Sequence, residues 1–273
     1  MMIDLLIGFF ISCAVAFVAY LKHNLDKSGL IASIILGTLV YGLGHWIFYV
    51  FMMFFFMSSL VIRKLVTVTN PVAHQALMHN HHKHEARTWI QVFANGGILL
   101  LISVIYLFWP SDFVIYIAAL SMAAATSDTW ASEIGILSHN KPVSILKHEP
   151  METGLSGGVT SLGLWASLFG SALIALVLGL YLGLSSGFDL KVLFLFGLCT
   201  LGGFSGSLFD SILGELFQAK YKTTTMEIIE ISTAEEDVLL QGWHWFDNNL
   251  VNFLSNVFVV LTFSALVIFL GLL

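Results

Sequence analysis

Charge is what this sequence has least of: 10% of its 273 residues are charged and 58% are hydrophobic. A soluble domain carries about 25% charged residues, so a water-facing surface cannot be built from this composition and the chain reads as an integral membrane protein. Eleven Lys and Arg, scattered along the chain, exclude a nucleic-acid footprint. The two cysteines, Cys13 and Cys199, lie inside apolar runs without metal spacing, which excludes a disulfide framework and a zinc ribbon. The N-terminus carries Asp4 and lacks a basic stretch or a small-residue cleavage site, so the first apolar run is read as a retained span.

What is present is a series of long apolar runs. About 20 helical residues cross a hydrocarbon core of about 30 Å. That length marks spans near 2–21, 28–43, 45–63, 89–109, 112–134, 157–183, 190–214 and 249–272. The expected fold is an all-α, polytopic helix bundle of eight spans, with seven possible if the second and third merge at Gly42 and Gly44. Short cytoplasmic loops collect Lys and Arg. Lys22, Lys27, Arg63, Lys64, Lys83, Arg87, Lys141, Lys147, Lys220 and Lys222 all fall in or beside the odd-numbered loops, and only Lys191 falls on the other side. Both termini are therefore expected outside and the odd loops in the cytoplasm, with the plasma membrane as the expected location. Merging two spans would break this alternation. One membrane domain covers 1–273: residues 1–88 hold the N-terminal spans and a His-rich loop, and 89–273 hold a motif-bearing core.

Ionisable groups in a span cost about 2.5–3.5 kcal/mol each on insertion scales, which makes them functional candidates. Four polar clusters reach the cytoplasmic face. WIQVFANGG places Gln91 and Asn95 four apart on one helix face, and SDTWASEIG carries Asp128 and Glu133. GGFSGSLFDSILGELFQ carries Ser205, Ser207, Asp210, Ser211, Glu215 and Gln218, and DNNLVNFLSN gives an Asn248, Asn252, Asn256 stripe. In the second and third clusters a Glu follows the Asp by five residues. Five residues turn an unbroken helix by about 500°, so either the helix breaks near Gly135 or Gly214, or only the Asp of each pair points inward. Asp128 and Asp210 therefore rank first, as metal ligands. Between these clusters, Lys147 precedes a Gly/Ser turn at Gly154, Ser156, Gly157 and Gly158 that opens a helix. Backbone N–H groups at a helix start, with a nearby Lys, suit a phosphate. Two carboxylates with a phosphate site suit magnesium, which keeps waters and uses one or two carboxylates plus phosphate oxygens.

Other features invite plainer readings. Asn256 and Ser205 can serve as interhelical glue, and the glycines as close-packing points. The loop HQALMHNHHKHE, with His74, His79, His81, His82 and His84, lacks a fixed Cys or carboxylate partner and is assigned no metal. The stretch MEIIEISTAEED reads as a solvated face, with Glu227 and Glu230 the alternative as cation ligands. The aromatic run FYVFMMFFF reads as lipid-facing bulk.

In order, QVFANGG, ATSDTWASEIG, SGGVTSLG, GSLFDSILGELFQ and DNNLVNFLSN resemble the membrane family called domain of unknown function 92, which includes transmembrane protein 19 and the plant phytyl-phosphate kinases. The resemblance runs from about Gln91 to Asn256; the N-terminal spans match only in hydropathy and position. Family members usually carry Ala where Glu215 stands, and many have a Cys-containing segment in the seventh loop, where this chain has its Cys-free acidic stretch. The resemblance therefore supports no ligand role for either.

It implies phosphorylation of an isoprenoid monophosphate to the diphosphate, with CTP as donor in the plant branch. The layout also looks similar to the CTP-using dolichol kinases and phosphatidate cytidylyltransferases, where an acidic D-x-x-A segment, a basic loop and a second acidic cluster recur. On this basis Asp128, Asp210 and Lys147 form the expected catalytic set, with Mg2+ on the two aspartates. Asn95, Glu133, Gly154, Ser156, Gly157, Gly158, Ser207, Ser211, Asn248 and Asn252 are the expected substrate contacts. The expected partners are a nucleoside triphosphate, a lipid phosphate and membrane lipids. A cation-coupled transporter, a CDP-lipid-forming cytidylyltransferase and a scaffold are the alternatives.

Overall fold

The computed structural model describes residues 1–70, 86–232 and 234–273, so the His-rich loop lies outside the described residues. Among these residues eight helices follow one another: α1 (Met2–Leu21), α2 (Lys27–Leu43), α3 (Trp46–Thr69), α4 (Trp89–Phe108), α5 (Asp112–Gly135), α6 (Ser161–Ser186), α7 (Leu190–Phe217) and α8 (Asn248–Phe269). Seven are long and apolar enough to cross a membrane, and α2, with 17 residues, is the short one. The second and third spans do not merge. A Cβ on Gly44 would come within 2.7 Å of Val40 O, a close approach that suits the turn between them to glycine.

The loops after α1, α3, α5 and α7 share one face. Asp26 N donates to Arg87 O (3.1 Å) and Arg87 N donates to Asn24 O (2.9 Å), which ties the first loop to the third. Trp130 Nε1 on α5 donates to Ser58 Oγ on α3 (3.1 Å). The opposite face carries His45, Trp46, Tyr106 and Tyr181, whose rings lie 5.5–5.8 Å apart, an aromatic belt of the kind found at membrane interfaces.

Helix α5 is the axis of the bundle. It is buried without interruption from Val114 to Ser127 and packs against α3, α4, α6, α7 and α8. Its run of Ala and Ser makes this possible, because small side chains let neighbouring backbones approach. Ser127 and Ser167 share a hydroxyl bond at 2.6 Å, and Asn256 Nδ2 on α8 donates to Ser121 O at 3.2 Å. Asn256 is thus the interhelical glue that its alternative reading offered. Helix α1 packs on α2 at the periphery and exposes Phe10 and Phe17.

One expectation is overturned in α3. In the aromatic run at 48–56, Phe48 and Phe51 are fully buried and Tyr49, Met52 and Phe55 nearly so, whereas Phe54 is exposed. A helix in the middle of a bundle turns one stripe of an apolar run inward, and hydropathy alone cannot separate that stripe from the lipid face.

Two small sheets cap the face of the odd loops. β1 (Val143–Ser144) pairs antiparallel with β2 (Gly158–Val159), closing the 143–159 loop at the start of α6. β3 (Lys220–Lys222) lies between β4 (Ile228–Ile229) and β5 (Val238–Gln241) in the loop between α7 and α8.

Candidate functional site

Four helix ends meet around one cleft on the face of the odd loops. Helix α5 contributes Asp128 and Ser132, α7 contributes Ser207, Asp210 and Ser211, and α8 contributes Asn248. The wall opposite is the loop Thr153–Thr160 that leads into α6, including Gly154, Ser156, Gly157 and Gly158. Asp128 and Asp210 each lie seven residues before the last residue of their helix, which sets them about 10 Å below the helix ends.

Both helices run unbroken through their Asp–Glu clusters, so the five-residue spacing turns each pair apart. Glu133 is buried on the α3 side, with Oε1 3.9 Å from Arg63 Nε. Glu215 is buried beneath the loop after α5, accepting from Ser144 Oγ at 2.6 Å and from Leu146 N at 3.2 Å. Glu133 is therefore a correction: it does not line the cleft. Gly214 marks no break, because α7 continues to Phe217.

The three asparagines of α8 have three different surroundings. Asn248 lines the cleft and Asn256 bonds to α5. With its amide oriented to satisfy both ends, Asn252 donates to Asp210 Oδ2 at 2.9 Å and to Asn248 O at 3.2 Å. Ser255 Oγ donates to the same Asp210 oxygen at 3.4 Å. Asn252 thus orients Asp210 and reaches the cleft only through it.

Two further expected contacts lie elsewhere. Asn95 lines a separate cavity with Gln91 and Arg87 and donates from Nδ2 to Gln91 O at 3.1 Å, because α4 stands on the far side of α5 from α7. Lys147 has an exposed side chain and lines a neighbouring depression with Glu149, Glu215 and Lys220. Its backbone N donates to Ser144 Oγ at 2.8 Å, in the turn pinned down by Glu215, which carries the side chain away from Asp128 and Asp210. Among the described residues the cleft lining contains no Lys or Arg.

The glycine-rich loop also differs from a phosphate cradle. Ser156 N donates to Glu230 Oε1 at 2.5 Å and Gly158 N to Leu155 O at 3.3 Å, so both amides are already committed. Gly157, at φ +92°, lies flat on α7, where a Cβ would meet Glu215 Cβ at 2.5 Å. These glycines serve close approach as much as any ligand.

What holds this loop in place is the segment between α7 and α8. Lys220 Nζ donates to Ser156 O at 3.0 Å and Gln218 Nε2 donates to Glu230 Oε2 at 2.6 Å. Burial pushes the Lys220 ammonium below the ordinary lysine pKa, Glu230 and Glu215 oppose that shift, and Lys147 adds to it. Glu230 is buried, so that part of the acidic stretch is not the solvated face it reads as in sequence. In sequence Lys220 reads only as a loop cation, and Glu230 only as an alternative cation ligand. Ser132 did carry a signal, since it lies four residues after Asp128 on the same helix face.

Among the described residues the donors around the cleft are carboxylate, hydroxyl and amide oxygens, without Cys or His. Among the described residues no three His, Cys, Asp or Glu converge. Two carboxylates among hydroxyls nevertheless fit magnesium, which takes oxygen ligands and completes its shell with water and phosphate oxygens.

Residues 10–260 match the family described as integral membrane protein DUF92. An uncharacterized membrane protein of the archaeon Methanocaldococcus jannaschii is 35% identical over 222 residues, 80% of this chain and 85% of that one. Protein PGR of Arabidopsis thaliana is 30% identical over 269 residues, 92% of each chain. No solved structure matches significantly. With matched residues running through all eight helices and the whole cleft, this chain belongs to the DUF92 family of integral membrane proteins.

Proposed function

We propose that the cleft is the active site of a membrane-embedded kinase that converts an isoprenoid monophosphate to its diphosphate with a nucleoside triphosphate, CTP by resemblance. The observation that carries this reading is the pair Asp128 and Asp210, brought from two helices to one cleft that, among the described residues, has oxygen donors and no Lys or Arg in its lining. Such a cleft repels phosphate by itself, so a polyphosphate enters with cations. Magnesium, bound at Asp128 and Asp210, would supply charge neutralisation on the phosphates.

Phosphoryl transfer asks mainly for positioning and electrostatics. Asn252 and Ser255 hold the Asp210 carboxylate in one orientation, and Ser132, Ser207, Ser211 and Asn248 offer hydrogen bonds to phosphate oxygens. A phosphate oxygen of the acceptor attacks the γ-phosphorus of the nucleotide, the bond to the β-phosphate oxygen breaks, and the nucleoside diphosphate leaves. The acceptor oxygen is already anionic, so no strong general base is required. The cleft's depth of about 10 Å lets the acceptor's phosphate reach it while the apolar tail stays between helices. On this reading the odd loops face the cytoplasm, where nucleotide is available.

A cation-coupled transporter is expected to carry its polar groups near the bilayer midplane on discontinuous helices. Helices α5 and α7 are continuous, and their carboxylates sit near one interface, which favours the kinase. The test is product analysis with protein in vesicles, supplied with Mg2+, CTP and a panel of prenyl and phytyl monophosphates. CDP together with a lipid diphosphate is the expected result. Release of inorganic pyrophosphate would replace the kinase by a cytidylyltransferase. No nucleotide turnover with any acceptor would sink the reading.

A further inference from the structure

The segment between α7 and α8 leaves an apolar surface uncovered. Among the described residues β5 lies at the edge of its sheet, beside β3, and Val238, Leu239 and Leu240 are all exposed on it. Successive strand residues point to opposite sides, so both faces of this edge are apolar, an arrangement that water-facing edges avoid with charges or cover. Just after the strand come Trp243 and Trp245, 48% and 57% exposed. Their rings stack at 5.4 Å, and Trp243 stacks in turn at 5.3 Å on Phe217, the last residue of α7.

The depth of this stack follows from the helices. With 22 residues α8 is about 33 Å long, enough to cross a core of about 30 Å with its first turn at the boundary. Ala219 N donates to Phe246 O at 3.2 Å and Trp243 N to Phe217 O at 3.1 Å, so the end of α7 and the start of α8 stand level. Phe217, Trp243 and Trp245 therefore lie at one boundary of the hydrocarbon. Their surface also continues that of α7, whose exposed Phe194, Leu201 and Leu216 fall within about 60° of one another around the helix. The lipid-facing stripe of α7 thus runs up to the tryptophans.

Further out the polarity changes in steps. Gln241 lies beside Lys220, Leu239 beside Tyr221 and Val238 beside Lys222, so β5 leads away from the helix ends, and before Val238 the chain carries the exposed Glu235 and Glu236. Aromatic rings at the hydrocarbon boundary, aliphatic side chains next and carboxylates outermost follow the polarity of a lipid–water interface.

We propose that Trp243, Trp245 and the β5 edge at Leu239 and Leu240 form a lipid-docking surface, seated in the head-group layer of the leaflet on the odd-loop side. The partner is the bilayer itself, at the junction of head groups and acyl chains, where amphipathic indole rings gather. Seating the sheet there has a consequence at the cleft. Lys220 and Glu230 of the same segment hold the backbone O and N of Ser156 in the cleft wall, so that wall is positioned relative to the lipid surface. The docking surface does not depend on the kinase reading, because none of its residues lines the cleft.

The test places a nitroxide label at Leu240→Cys, and separately at Glu236→Cys, in full-length protein carrying Cys13→Ser and Cys199→Ala in phosphatidylcholine vesicles. Oxygen concentrates in lipid and a nickel chelate in water. The label at 240 is expected to collide more with oxygen and the label at 236 more with the chelate, the two ratios differing severalfold. A label at 240 as open to the chelate as that at 236 overturns the proposal. Dipolar broadening at 240 also overturns it, because a second copy would then cover the edge. A second measurement leaves the strand untouched and decides the matter if Leu240→Cys fails to fold. The emission that Trp243→Phe with Trp245→Phe removes is expected to be quenched, in the wild type, by phospholipids brominated near the head group. If that emission escapes quenching, the proposal fails.

Discussion

The two halves of this bundle put their few polar groups to different use. In the α5–α8 half, Asp128, Asp210, hydroxyls and an amide converge from four helix ends on a cleft that has no basic lining residue among the described residues. In the α1–α4 half, Arg87 stands over Phe55 and Phe56, with Arg63 and Glu133 nearby. The first gathers carboxylates at a cleft; the second sets a guanidinium against aromatic rings. The difference teaches that in a chain this poor in charge, local neighbours decide what a charge does. Glu133 and Asp128 are five residues apart on α5, and the turn of that helix sends one to each half.

The comparison breaks first if the aspartates are dispensable. Asp128→Asn or Asp210→Asn is expected to lower turnover about 100- to 1000-fold while the protein still folds, measured as CDP formation. Next comes the loop over α7. Gly157→Ala adds a Cβ at φ +92° that would meet Glu215, with an expected stability loss of about 2 kcal/mol, read as a lower melting temperature and reduced turnover. Glu133→Gln is expected to change turnover less than tenfold, since that side chain faces Arg63, and comparing it with Asp128→Asn in one assay sharpens the division between the halves. The smallest effect is expected for Lys147→Ala, under threefold, because its side chain is exposed and lies outside the cleft.

Much of the architecture is legible in the sequence because membrane crossing imposes a length and loop cations impose an alternation. The eight helices begin and end within a few residues of the marked spans, except that α3 runs on to Thr69 and α6 starts at Ser161. Asp128, Asp210, Ser207, Ser211 and Asn248 are visible as polar residues where lipid would reject them, and the structure sets them around one cleft.

Where the reading fails, it fails on facing and on long-range contact. Asn95 belongs to the same membrane face as the cleft, but α4 packs on the far side of α5, and sequence gives depth without azimuth. Lys147 looked like a phosphate ligand from its nearness to a glycine turn, yet the turn is pinned by Glu215 from 68 residues away in the chain and carries the lysine off. The bond from Ser156 to Glu230 and that from Lys220 to Ser156 join segments more than 60 residues apart, so no local pattern announces them.

The most direct measurement follows label from γ-32P CTP into a prenyl monophosphate, comparing wild type with Asp210→Asn in the same vesicles with Mg2+. The account predicts labelled lipid diphosphate and unlabelled CDP from the wild type, with transfer by Asp210→Asn reduced about 100-fold or more. Equal transfer by both proteins, or label recovered as pyrophosphate, would contradict it.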